Sequence, residues 1–139
     1  MNDKIIIFDL FDTLLDKVWF DYDRGLAYLA DNYFDCRYDE LKLYAKEYRE
    51  CFMLDRNKTY REKSFFDQFA FYEDKFGKTL PKPREEIEWE VFSVCRQERL
   101  AVGAKSLLHY LSERGYTLAV FSNSIFSART LKKYMAEFG

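Results

Sequence analysis

The chain has 139 residues and is short of the residues that staple or punctuate a fold: two prolines, five glycines, three cysteines and one histidine. Cys36, Cys51 and Cys95 are scattered, form no CxxC pair and have no metal-ligand spacing with His109. Nothing here reads as a disulfide framework or a zinc module, and such cysteine usage fits a reducing, cytoplasmic setting. Excess charge of one sign is missing too. Twenty-two bases against 24 acids leave a net charge of −2, with both signs interspersed. That gives no electrostatic case for a nucleic-acid partner or an acidic membrane surface. No long hydrophobic run occurs. The apolar stretch near the N-terminus is broken by Asp9, too early for a signal segment or a membrane span. Repeats and low-complexity tracts are absent.

What the chain does have is aromatic side chains, 14 Phe and 11 Tyr, and one informative stretch, IIIFDLFDTLLD at 5–16. Ile5, Ile6, Ile7 and Phe8 run straight into Asp9. A short, unbroken apolar run suits a strand buried on both faces. An acid at its end falls at the carboxyl edge of a parallel sheet, where open α/β sheets bind ligands. Asp12 and Thr13 follow in the loop, where they can hydrogen-bond the turn. A second run, TLAVFSNS at 117–124, again ends in small polar residues, Ser122 and Asn123. Two such strands separated by helices predict one site built at one sheet edge.

These two stretches resemble motifs I and II of the haloacid dehalogenase-like (HAD) hydrolase superfamily: an apolar strand followed by DxDxT, and an apolar strand ending in Ser or Thr. Motif I here is Asp9-Leu10-Phe11-Asp12-Thr13, and motif II ends at Ser122 and Asn123. The stretch 100–122 is similar to the family's helix–Gly–strand lead-in to motif II. The resemblance implies that Asp9 is a nucleophile and Ser122 a hydrogen-bond donor to phosphoryl or carboxylate oxygens of a small-molecule substrate. Phe11, Thr13 and Asn123 would lie against that substrate. If Mg²⁺ is used, Asp9 is the one ligand implied within this stretch.

Two departures bear on the chemistry. The family's phosphatases carry an aspartate, the general acid, two residues past the nucleophile; here Phe11 stands there and cannot give a proton. An aromatic at this position is what the family's 2-haloacid dehalogenases carry, although their loop has Gly where this chain has Asp12. Asp12, one position off the family's acid, is read as a loop-capping residue. The other departure is that no counterpart of the motif III lysine or the motif IV acids follows within the chain. The expectation is therefore a chain that ends before them and is incomplete as an enzyme.

Between the two motifs the sequence predicts helices. Positions 20–34 carry Tyr22, Leu26, Leu29, Ala30 and Tyr33 on one face. Asp39 is placed to cap a helix bearing Leu41, Tyr44, Ala45, Tyr48 and Phe52. Thr59 and Glu62 have capping-box spacing before a helix with Phe65, Phe66, Phe69, Tyr72 and Phe76, closed by Gly77. After the linker 78–83, residues 84–99 read as one helix. Glu85, Glu86 and Glu88 lie in its first turns and Arg96 and Arg99 at its end, matched to the helix dipole. Gly103 and Gly115 bracket a further helix, on which His109 is a surface residue, and Ser127 can cap a last one. The aromatic stripes are core first; some could instead line a pocket for an apolar substrate.

The expected fold is α/β: a partial Rossmann-like core of parallel strands (1–16 and 100–139) with an all-helical cap inserted at 17–99. The expected function is an Asp-nucleophile hydrolase of phosphatase or 2-haloacid dehalogenase type. The alternative is a non-catalytic relative that serves as an interaction module or has no independent function. Two apolar strands alone would leave open sheet edges, so self-association through them is expected.

Overall fold

The computed structural model describes residues 4–139. The first three positions of the expected core segment, Asp3 among them, lie outside the described residues. The chain is mixed α/β. Strand β1 (Ile5–Phe8) and strand β2 (Leu15–Phe20) lead into α1 (Tyr22–Leu29), which runs on as a π-turn over Ala30–Phe34. Then come α2 (Tyr38–Thr59), α3 (Phe65–Phe76), α4 (Arg84–Cys95), β3 (Arg96–Leu100), α5 (Ala104–Glu113), β4 (Thr117–Val120) and α6 (Ala128–Met135). The described residues form two separate two-stranded sheets, β1–β4 and β2–β3; a full Rossmann-like sheet is not assembled from them. The chain divides into two compact units. One comprises Met1–Phe20, Gln97–Asn123 and Phe138, the other Asp21–Arg96, Ser124–Glu137 and Gly139.

In the first unit β1 and β4 are parallel, with Ile5 opposite Thr117 and Phe8 opposite Val120. Burial on both faces was the sequence expectation, and the structure corrects it. Ile5 is 60% and Ile7 65% exposed, while Ile6 and Phe8 are half-buried. Side chains alternate across a strand, and among the described residues only one face of this strand pair is covered. The unit's buried anchors lie just beyond β1, in Leu10, Leu14 and Leu15, together with Ala104 at the start of α5.

The second unit holds the larger core. Leu29, Leu41, Phe69, Tyr72 and Ile87 are fully buried in it, drawn from four helices. The aromatic stripe of α3 goes inward as core: Phe34 meets Tyr72 edge-on at 5.9 Å between ring centroids, and Tyr44 meets Phe76 at 5.2 Å. Such geometry follows from the positive edge and negative face of aromatic rings. Where α1 crosses α4 a side chain is dispensed with. A Cβ on Gly25 would lie 3.0 Å from Val91 Cγ1.

Several boundaries differ from the sequence expectation. Positions 17–20 and 96–99 are strand, not helix, so the segment 17–99 is not all-helical. Val18, Trp19 and Phe20 have strand-like side chains, whereas RQERL at 96–100 carries no strand signature and is extended by pairing with β2. Trp19 Nε1 donates to Gln97 Oε1 at 2.8 Å across that ribbon. Arg96, extended at the C-cap position, and Arg99, within β3, therefore do not form the last turn of α4. Asp39 is not an N-cap either; Arg37 holds that position and Asp39 lies in the first turn. The capping box before α3 is formed by Ser64 and Asp67, not Thr59 and Glu62, and α2 runs through the expected turn to Thr59. Gly77, in left-handed conformation, closes α3, and Ser127 caps α6. The three thiols are graded in exposure, with Cys51 exposed, Cys36 half-buried and Cys95 buried.

Candidate active site

Asp9 is the first residue past β1. Its position follows from what surrounds it in sequence. Leu10 is 1% exposed, and Leu14 and Leu15 are buried with it, so the intervening polar residues are turned outward. Main-chain bonds close the turn: Leu14 and Leu15 donate their N–H groups to the Leu10 carbonyl at 3.0 and 2.9 Å, and Asp12 donates to Leu15 at 2.8 Å. Phe11 forms an isolated bridge with Leu15. Asp12 adopts φ 58°, the left-handed region, which Gly, Asn and Asp tolerate best. That conformation accounts for either Gly or Asp at this place in the loop. The carboxylate of Asp9 is exposed, and its Oδ1 accepts the N–H of Leu10 at 2.8 Å.

Across the strand pair, Phe121 donates its N–H to the Phe8 carbonyl at 2.9 Å. That bond extends the ladder one step past Val120, and Ser122 and Asn123 come next. The parallel register thus brings Asp9, Ser122 and Asn123 to the same carboxyl edge. Ser122 is half-buried and Asn123 exposed. Phe11, half-buried, and Thr13, exposed, are in the turn that follows Asp9. His109 is an exposed residue of α5, 3.2 Å from Glu113 one turn on.

A dedicated metal site needs several oxygen or nitrogen ligands brought together. Among the described residues no three His, Cys, Asp or Glu side chains are grouped to hold an ion. Asp9 also directs one carboxylate oxygen to its own turn. The residues at this edge do not by themselves fit a Mg²⁺ site, and no step below runs through one. Three surface cavities, of about 640, 370 and 280 Å³, are lined by helical-unit residues such as Lys78, Leu43 and Arg129; none is lined by Asp9, Phe11, Thr13, Ser122 or Asn123.

The second unit contains polar groups that sequence reasoning did not single out. Glu88 is fully buried. Its Oε1 accepts the N–H of Ser127 at 2.9 Å, and its Oε2 accepts the hydroxyls of Ser127 and Thr130. It was expected to face the dipole of α4 and instead lies on that helix's inward stripe with Val91, Phe92 and Cys95. The signal was available: positions 88, 91, 92 and 95 share one helical face. Glu90 is a second hub. Tyr28 and Tyr33 both donate to its Oε2, and Lys82 donates to Oε1 at 2.7 Å. Burial pulls the Glu90 carboxyl upward, but these three donors outweigh it and hold it below its usual range.

No family model matches the chain, and no curated protein and no solved structure matches it. The helices are also of one kind in one respect: among the described residues none is long and apolar enough to cross a membrane.

Proposed function

We propose that the chain is a hydrolase of haloacid dehalogenase-like type, with Asp9 as nucleophile and Ser122 and Asn123 as the donors that orient the substrate. One observation carries the reading: the β1–β4 register puts Asp9 and the Ser122–Asn123 pair past the same ends of two paired parallel strands. That is where open α/β folds bind ligands. In the reaction, a carboxylate oxygen of Asp9 attacks phosphorus or an electron-poor carbon. The bond to the leaving group breaks with its electron pair, and water then cleaves the covalent intermediate, an acyl phosphate or an ester respectively, to regenerate the carboxylate. The Ser122 hydroxyl and the Asn123 amide can donate to the oxygens on which charge develops. Phe11 offers no proton, so the leaving group departs unassisted by it. This favours halide or another stable anion over a simple alkoxide.

The test is turnover on a panel of 2-haloacids and phosphate esters, with and without added Mg²⁺, comparing the native chain with Asp9→Asn. Turnover that disappears in Asp9→Asn supports the reading; turnover that persists removes Asp9 as nucleophile.

A second reading, an interaction module, is favoured by a different observation. Ile5, Ile7 and Phe121 are 60%, 65% and 74% exposed on or beside the same two strands, and such apolar surface invites a partner. Light scattering across a concentration series separates the two: association without turnover on any substrate supports the second.

A further inference from the structure

Within the helical unit, α4 and α6 are stitched together. Glu88 accepts from Ser127 and Thr130, and the rings of Phe92 and Tyr134 meet edge-on at 4.9 Å between centroids. Beside that seam lies a cavity of about 280 Å³, at the small end of the range for ligand pockets. Its α4 wall carries Glu85, Glu86 and Trp89, and its α6 wall Arg129 and Lys133. Residues four apart are neighbours on a helix surface, so Glu85 and Trp89 form one ridge and Arg129 and Lys133 the other. None of these residues belongs to the Asp9 edge, and the inference is independent of the Asp9 reading.

Opposite charges line this cavity and do not pair. Elsewhere in the unit they do: Lys82 bonds Glu90 at 2.7 Å and Lys42 bonds Asp23 at 2.8 Å. Among the described residues no ion pair joins Glu85 or Glu86 to Arg129 or Lys133. Glu85 and Glu86 gain from the positive end of α4. Arg129 has no such return. It stands in the first turn of α6, where no acid balances it and the helix dipole disfavours a cation. The Lys133 ammonium lies 4.0 Å from the centre of the Trp89 ring, a cation–π contact that leaves its N–H donors open to an acceptor. We propose that the α4–α6 cavity binds a small zwitterion of the α-amino acid class, with its ammonium on Glu85 and Glu86 and its carboxylate on Arg129 and Lys133. A molecule that carries both charges joins two ridges that do not reach each other. The guanidinium holds a carboxylate through two parallel N–H bonds, and the indole gives the ligand's side chain an apolar edge. The Glu88 seam keeps the two walls in place, so binding orders little of the protein.

The test is a ¹H–¹⁵N NMR titration of the full chain with glycine and with L-leucine, read at the backbone amides of 85–90 and 129–133 and at the Trp89 indole N–H. L-Leucine is expected to shift these signals saturably, with a dissociation constant of about 1 mM or below, and glycine more weakly. N-Acetyl-L-leucine lacks the ammonium and L-leucine methyl ester lacks the carboxylate; each should bind at least about tenfold more weakly than L-leucine. Arg129→Gln should weaken L-leucine by about tenfold and leave the methyl ester unchanged, because the ester has no carboxylate for Arg129 to hold. The double variant Glu85→Gln, Glu86→Gln should weaken L-leucine and spare the N-acetyl derivative. Arg129 and Glu86 are exposed and Glu85 half-buried, so both variants should fold. No saturable shift with either amino acid up to about 20 mM overturns the proposal. So does equal binding of L-leucine and its two capped derivatives, or L-leucine binding that neither variant weakens.

Discussion

Phe121 is bonded to Phe8 one residue past the last paired rung, Phe8 opposite Val120, and Asp9 is the next residue on the other strand. The Phe121 N–H to Phe8 carbonyl bond makes that step part of the ladder. The carboxylate is therefore carried on backbone held from both sides, while the side chain itself is exposed.

Asp9→Asn should leave the fold intact, with a change in stability within about 0.5 kcal/mol, as is usual for an exposed side chain. Turnover on any substrate the native chain accepts should fall by more than about a thousandfold, since an amide is a poor nucleophile. The companion variant, Phe11→Asp, restores a potential proton donor two residues on. It should raise turnover of phosphate esters and leave turnover of 2-haloacids unchanged. Steady-state rates on both substrate types check this.

The left-handed conformation of Asp12 predicts opposite outcomes for two substitutions there. Asp12→Gly should be neutral or slightly stabilising. Asp12→Val should cost roughly 1–2 kcal/mol, because a β-branched residue is strained at φ 58°. Urea denaturation of the two variants, with unchanged slopes, is the measurement.

Glu90 makes stability depend on pH in a defined direction. Its folded-state carboxyl is held below its ordinary value, so the unfolded chain binds more protons as pH falls through that region. The stabilisation is fully present above the unfolded value and is lost as the pH drops through the depressed folded one. Glu90→Gln should therefore cost roughly 1–2 kcal/mol at neutral pH, with the group's partial exposure keeping it at the low end. The gap to the native chain should close in acid, which thermal midpoints from pH 7 down to pH 2 would show.

Tyr48 carries a buried hydroxyl with no hydrogen-bond partner among the described residues, and burial pushes its pKa up to about 12. An unsatisfied buried polar group costs about 1–3 kcal/mol. Tyr48→Phe should then raise the thermal midpoint by several degrees, and alkaline absorbance titration should lose one of its high-titrating components. A lowered midpoint would mean that the hydroxyl has found a partner in solution, such as a buried water.

Much of the candidate edge was legible because it rests on local pattern. An apolar run followed at once by Asp9, and another followed by Ser122, fixes both strands and the side at which they end. Ser127 and Gly77 were readable as caps for the same reason. The burial of β1 was not, because a run of isoleucines records the capacity to be covered on both faces, not the presence of two covers. Strand β3 was illegible in principle: Arg96, Gln97 and Glu98 have no strand preference, and their extension comes from pairing with β2 about 80 positions earlier in the chain. The cap of α3 was misplaced for a smaller reason. Asp67 answers Ser64 as Glu or Gln usually does in a capping box. Glu88 was passed over because a glutamate early in a helix is ordinarily explained by the dipole.

The graded burial of the three thiols gives the helical unit an internal clock. Cys51, on the exposed side of α2, should react with a thiol reagent at once, Cys36 more slowly, and Cys95 only when α4 comes away from its neighbours. Mass spectrometry of the partly modified chain would then order local and global opening without any added probe, and each thiol would report on a different depth of the same core.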